Sequence, residues 1–469
     1  MPEAAPPGSG PGPAPDAPGL APGPGRPAAA ASGPGPPPGG RAAASPPPAP
    51  EVGRSLGEAG RADRVARGER AAAAHALRYP GDPGGRQPVH TVYVAADRFA
   101  GGTAAAYGAE ALRLLDAHAP DGATLATAFG LDDQAVAAAV RQRVAAKLAR
   151  EPVEDLRIDF EDGYGVRDDT EEDRDAALAA AAVAEALAAG TLPPFAGPRV
   201  KSFADGRHRR AIRTLDVFLT GLLERAGRLP DGLVVTFPKV VAAEHVAAFA
   251  ELLGRLEAAL GLPDCRLRFE VQVETTPSIF DPVGRVALRG IAEAAAGRLT
   301  GAHFGVYDYT AACGLPPSEQ RLTHPACDFA RHVMQVALAG TGVRLSDGST
   351  AVVPAGDDTP AVHAAWRLHA AHVRHSLRHS FWQGWDLHPA QLPSRYAAVY
   401  AWHLDGFEPA AARVRAFHAG VPGPGGVLDE PATVKALVAQ LRRAVHCGAV
   451  PEAEALARTG LDRAALLGR

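Results

Sequence analysis

From about residue 90 to residue 390, short β-branched or apolar runs alternate with longer stretches whose apolar residues recur every three to four positions. The short runs are Thr91–Ala95, Leu156–Asp162, Pro198–Phe203, Leu233–Val240, Leu267–Thr275, Gly301–Tyr309, Val343–Asp347 and Gly384–His388. Between them, helical stretches are predicted at about 103–118, 131–149, Glu171–Ala189, Arg207–Arg225, Ala243–Leu260, Pro282–Arg298, Asp328–Ala339 and Thr359–Ser380. Strand–helix–strand repetition implies parallel strands joined by right-handed crossovers. Eight such repeats predict an α/β fold, a closed (β/α)8 TIM barrel, with an open doubly wound sheet as the structural alternative. No G-x-G-x-x-G follows the first strand, and no GxxxxGK[ST] occurs. Ala339–Val343 is glycine-rich but too short for either phosphate motif, and it reads as a turn.

The chain ends carry a different pattern. Residues 1–50 are almost entirely Pro, Gly, Ala and Ser, so they are expected to be a disordered tail. Residues 51–89 form a lead-in segment with a helix-forming stretch near Arg61–Leu77. The barrel is expected over 90–404, and a helical C-terminal extension over 405–469 that caps it or packs on a neighbouring subunit.

Composition narrows the function class. A net charge of -4 gives no general attraction to nucleic acid or to an anionic membrane. The four cysteines are scattered without a CxxC pair, the usage of a cytoplasmic protein with reduced thiols. No apolar run approaches the roughly 20 residues a membrane helix needs, and the N-terminus lacks a signal-peptide pattern. A cytoplasmic location is therefore expected.

The candidate chemistry lies where the strands end, the face on which such barrels carry their active sites. These ends offer Asp159, Glu161 and Asp162; Arg199 and Lys201; Lys239; Glu270, Gln272 and Glu274; Asp308; Asp347; and His388. Alternation puts Glu270, Gln272 and Glu274 on one face of a strand, and Arg199 with Lys201 on one face of another. Three polar groups on a buried face are expensive unless they pair or bind a ligand. Glu274 and Asp308 close two strand-like runs that would lie about 4.8 Å apart as neighbours. Carboxylates so placed repel unless a proton or cation sits between them. A hard cation such as Mg2+ needs few carboxylates and leaves positions for substrate oxygens. The competing structural explanation is ion pairing inside the barrel, for instance Arg199 with Glu270. Lys201 and Lys239 are alternatively solvated lysines, His388 a loop anchor before proline, and Asp162 a loop or helix cap. The series His363, His369, His372, His375 and His379 reads as a solvated helix face, because no acid or cysteine pattern accompanies it.

Taken in order along about 155–392, the motifs DFED, RVKS, FPKV, VETT, GVYD and HPAQ resemble those of the HpcH/HpaI aldolase and citrate lyase β-subunit superfamily. The ETTP and YDY details are also similar to malate synthase. The resemblance implies Glu274 and Asp308 as Mg2+ or Mn2+ ligands and Arg199 as the group that steadies an enolate. It places Gly305 and Thr275 against the substrate, and Lys201, Lys239, Asp162 and His388 among the catalytic groups. Lys201 stands where the superfamily usually has Asn, and Gly163–Gly165 replace its usual small residues. The implied activity is aldolase-type carbon–carbon cleavage or formation on a 2-oxo acid. The alternatives are an acyl-CoA lyase or malate-synthase-like thioester enzyme, and a non-catalytic metabolite-binding barrel. Small-molecule partners and a homo-oligomer are expected by analogy.

Overall fold

A computed structural model describes residue 55, residues 57–354 and residues 356–468. The expected disordered tail over 1–50 lies outside the described residues. The chain divides into two units, residues 1–66 and 67–469. Helix α1 (Glu58–Arg78) buries none of its side chains.

Eight parallel strands close into a barrel in chain order: β1 (His90–Ala95), β2 (Asp155–Asp159), β3 (Phe195–Arg199), β4 (Val234–Phe237), β5 (Arg268–Val273), β6 (Leu299–Phe304), β7 (Arg344–Ser349) and β8 (Gln383–Asp386). The predicted TIM barrel is therefore the observed fold. Between the first two strands lie α2 (Thr103–His118), α3 (Gly122–Phe129) and α4 (Gln134–Arg150). Then come α5 (Asp169–Ala189), α6 (His208–Ala226), α7 (Ala243–Leu260), α8 (Thr276–Ile279), α9 (Ala287–Ala294), α10 (Val306–Ala312), α11 (Pro325–Leu338) and α12 (Thr359–Arg378). The C-terminal helices are α13 (Leu392–His418), α14 (Pro431–His446), α15 (Glu452–Thr459) and α16 (Arg463–Leu467). No helix among the described residues is long and apolar enough to cross a membrane.

Several elements depart from the sequence-based expectation. Strand β3 begins at Phe195 rather than Pro198, because Gly197 lets it press against β4: a Cβ there would lie 1.9 Å from the Val234 carbonyl oxygen. The run Gly301–Tyr309 is not one strand. It stops at Phe304 and turns into α10, so Asp308 stands in a helical first turn. The expected crossover helix Pro282–Arg298 shrinks to α9, since Gly284 and Gly297 sit at positive φ on either side. Helix α3 went unpredicted; Asp121 caps it by accepting from the Thr124 amide at 2.8 Å. Helix α13 runs unbroken through the expected boundary at residue 405.

Inside the barrel, the lower layer is polar and internally paired. Arg157 donates to Thr236 Oγ1 at 2.8 Å and to Glu270 Oε1 at 2.9 Å, and pairs with Asp155. His303 Nε2 meets Glu270 Oε2 at 2.8 Å. Glu270 therefore pairs with Arg157 and His303, not with Arg199. The apolar core lies outside the strands, between them and the helices, and a second cluster joins the end of α13 to α14–α16.

The histidines of α12 are not a solvated face. Spacings of three and four turn them toward the barrel and its neighbours. His369 meets Ser394 Oγ at 2.7 Å, His372 meets Thr350 Oγ1 at 2.8 Å, and His363 meets the His118 carbonyl at 2.7 Å. Burial pushes both His372 and His403 of α13 down to about 4. The unfolded chain then binds protons that the folded state refuses, below the ordinary histidine range near 6.5. Their contribution is complete above pH about 6.5 and is lost as pH falls toward 4. Thermal melts across that window should show stability falling with acid, and His403→Leu should flatten the slope. An unchanged slope in that variant would show that His403 does not titrate this way.

Candidate active site

At the C-terminal mouth of the barrel the site is built around Asp159, the last residue of β2. Arg199 ends β3, directly opposite Asp159 in the parallel register. Its Nε and Nη2 each donate to the Asp159 carboxylate at 2.7 Å. The amides of Glu161 and Gly163 donate to the same carboxylate at 2.9 and 2.8 Å. A Cβ at Gly163 would lie 2.5 Å from Asp159 Oδ2, so the turn closes only with glycine there. The bidentate fork fixes the guanidinium plane. One face of that plane lies over Tyr93 at 4.8 Å and Trp385 at 5.4 Å. The remaining edge, Nη1, points to Glu161 Oε2 at 3.2 Å and Gln272 Oε1 at 3.3 Å.

Glu274 follows β5 and is buried. Its Oε1 accepts the Lys239 amide at 2.8 Å, and the backbone of Lys239 adopts φ 48° to aim that amide. Strand β6 pairs with β5, and the Gly305 amide donates to the Val273 carbonyl at 3.0 Å. A Cβ at Gly305 would stand 2.4 Å from Glu274 Cβ and 2.5 Å from its Oε2. The carboxylate therefore occupies the space that only glycine leaves. Burial, reinforced by Asp308 and opposed by Arg199, raises the Glu274 carboxyl to about 8.

The ammonium of Lys239 gathers the other acids. It binds Glu161, and it donates to Asp162 at 2.7 and 2.9 Å. Asp308 Oδ2 stands 3.8 Å from it, on a half-exposed side chain. Burial pushes Glu161 up to about 7 against the pull of Arg199 and Lys239. Burial would raise Asp162 as well, but the hydrogen bond from Lys239 and the charge of Arg199 hold it low. A cavity of about 300 Å3 is lined by Asp162, Glu274, Gly305, Tyr307, Asp308 and Trp385, among others.

The structure thus brings together Arg199, Asp162, Lys239, Glu274, Asp308 and Gly305. It separates three other candidates from them. Lys201 is buried away from the mouth, donating to Glu172 at 2.5 Å and to the Phe160 carbonyl at 2.7 Å. Its strand has already ended at Arg199, so the expected shared face does not extend to it. Thr275 caps α8 and donates to the Val240 carbonyl at 2.6 Å. His388 is exposed, and its Nδ1 accepts the Ala390 amide at 3.1 Å. Neither it nor Lys201 bonds any acid of the Lys239 cluster. Glu161 was legible as a strand-end acid, but its link to both cations was not. Tyr93 and Trp385 gave no sequence signal beyond being aromatic on strands.

Glu274 and Asp308 suit a hard divalent cation. A buried carboxylate beside a second one calls for positive charge. No third His, Cys, Asp or Glu among the described residues joins them in a tight ligand cluster. Such a pair leaves coordination positions for water and substrate oxygens, as Mg2+ requires.

A family model described as a domain of unknown function (DUF6986) matches residues 69–469. No curated protein matches the chain. Among solved structures it is similar to a citrate lyase from Burkholderia xenovorans LB400, with TM-score 0.51 and 21% identity over 68% of this chain and 92% of that one. It is also similar to Haloferax volcanii malate synthase, with TM-score 0.42 and 15% identity over 80% of this chain and 88% of that one. At 21% identity the likeness to the citrate lyase is one of fold.

Two substitutions separate the site from its supports. Gly305→Ala should displace the Glu274 carboxylate and weaken Mg2+ binding at least tenfold, read by calorimetry, in a protein that still folds. Lys201→Ala leaves buried Glu172 with only the longer ionic contact to Arg210 Nε at 3.4 Å, and should cost about 3 kcal/mol in urea unfolding. Unchanged stability with lost Mg2+ binding in Lys201→Ala would place that lysine in the site instead.

Proposed function

The chain belongs to the DUF6986 family, and we propose that it is a metal-dependent carbon–carbon lyase of the aldolase type, acting on a 2-oxo acid through an enolate. The observation that carries this reading is the buried Glu274, seated against Gly305 beside Asp308 at the mouth that holds Arg199. This reading puts the chain with the HpcH/HpaI aldolases and citrate lyase β-subunits, and the shared barrel fold is in keeping with it.

Glu274 and Asp308 would hold Mg2+ or Mn2+, which polarises a substrate carbonyl and stabilises negative charge on its oxygen. The protein groups divide the remaining work. Asp159 positions Arg199, whose Nη1 edge donates to the developing oxyanion. Lys239 orients Glu274 through its amide, and its ammonium attracts the substrate carboxylate. The backbone amides of Val306 and Tyr307, next after Gly305, line the cavity and would receive that carboxylate. Glu161 touches both Arg199 and Lys239. Held near 7, it takes and returns the proton at the enolate carbon. Asp162, on the same ammonium, is the second proton-transfer candidate. Trp385 and Tyr307 wall the cavity against water.

The test is proton NMR of the pyruvate methyl signal in D2O, with enzyme and Mg2+, and EDTA as control. The signal should fade only with metal. Glu274→Gln and Asp308→Asn should abolish exchange in folded protein, and Glu161→Gln should slow it by roughly 100-fold or more. Exchange that continues at the parent rate in Glu274→Gln would sink the assignment. A flat signal with the parent enzyme would reject pyruvate enolisation and favour thioester chemistry.

A further inference from the structure

Outside the barrel mouth, a second set of metal-ligating side chains sits between α11 and α12. Asp328 and His332 lie four residues apart on α11, and His375 and His379 four residues apart at the end of α12. Residues four apart share a helix face, so each helix offers one pair to the other. His375 Nε2 stands 2.8 Å from Asp328 Oδ1, and His379 Nε2 stands 3.8 Å from the same oxygen. Ligand atoms of Asp328, His375 and His379 all lie within 4.8 Å of one another. In a tetrahedral zinc site with bonds near 2.0–2.1 Å, ligand atoms are about 3.3 Å apart. The observed separations bracket that value. The ring of His379 also lies 5.4 Å from that of exposed His332 and 4.5 Å from that of His375.

We propose that Asp328, His375 and His379 form a binding site for a first-row transition-metal dication, Zn2+ by preference, with His332 or water as the fourth ligand. Imidazole with one carboxylate is a donor set for Zn2+ rather than Mg2+. The ordinary alternative is a hydrogen-bonded clasp, and Arg331 favours it by donating to Asp328 Oδ1 at 2.7 Å. That contact is dispensable to Arg331, whose Nε is already bound to both oxygens of Asp347 on β7 at 3.0 and 2.9 Å. A cation could share Asp328 with Nη1 while Nε keeps Asp347 and Nη2 keeps the Leu322 carbonyl at 2.7 Å. All three ligands are half-buried, so the site is reachable from solvent. The ion would clip α11 to α12 on either side of β7, apart from the Glu274–Asp308 pair.

The experiment is calorimetric titration of the full, chelator-stripped protein with Zn2+, and with Co2+ followed by visible absorption. One Zn2+ should bind in Glu274→Gln as in the parent. In His375→Ala/His379→Ala that site should be lost, with affinity falling by more than the roughly 10–100-fold that outer-sphere changes cost. Intense tetrahedral Co2+ bands should appear in the parent and vanish in the double variant. The single variants His375→Gln and His379→Gln serve if the double variant fails to fold, and each should weaken binding. Equal Zn2+ binding in parent and histidine variants would overturn the proposal, as would no Zn2+ binding by Glu274→Gln.

Discussion

The site depends on a bidentate ion pair, Arg199 with Asp159, placed where β2 and β3 end side by side. A buried guanidinium needs a partner with matching geometry, or its desolvation cost outweighs any gain. Here the partner carboxylate also organises the backbone. By accepting the amides of Glu161 and Gly163, Asp159 folds the following turn back over the barrel mouth. That turn delivers Glu161 to the free edge of the same guanidinium and Asp162 to the ammonium of Lys239. One interaction thus fixes a strand pair, a turn and the approach of two acids.

The barrel interior divides into a closed lower layer and an open upper one. Below, Asp155, Arg157, Thr236, Glu270 and His303 pair with one another, with only His303 Nδ1 left without a partner. Above, the Tyr93 hydroxyl, the Gln272 amide nitrogen and the Trp385 indole nitrogen are buried without a hydrogen-bond partner. Buried donors left unmatched are costly. They lie around Arg199, and a bound molecule rich in oxygens would complete them. The contrast separates a layer bound by ion pairs from one whose donors mostly face the mouth.

Much of the fold was legible because its signals are local. Short β-branched runs and helical periodicity marked the eight strands, and alternation marked Glu270, Gln272 and Glu274 as inward-facing. What escaped depends on contacts between distant segments. Gly305 stops a run that otherwise reads as strand, and the turn into α10 moves Asp308 to a helix. Lys201 sits at inward parity, yet Glu172, on the preceding helix α5, captures it. His375 and His379 looked solvated because their acid, Asp328, belongs to another helix. Spacing reveals which residues share a face; it does not reveal what that face meets.

Helix α13 belongs to both apolar clusters. Its first half, from Leu392 to Ala401, packs in the barrel's core, and its second half, from Phe407 onward, packs with α14–α16. Pro409 lies just past that junction. Having no amide hydrogen, it leaves the Asp405 carbonyl without the usual helical donor. The helix is therefore continuous in sequence but weakened in its ladder where it passes from one cluster to the other. Fraying that starts at the C-terminus has a natural stopping point there, since the last turns of α13 can open with α14–α16 as one cooperative unit while the first half stays anchored. The two clusters therefore need not open together.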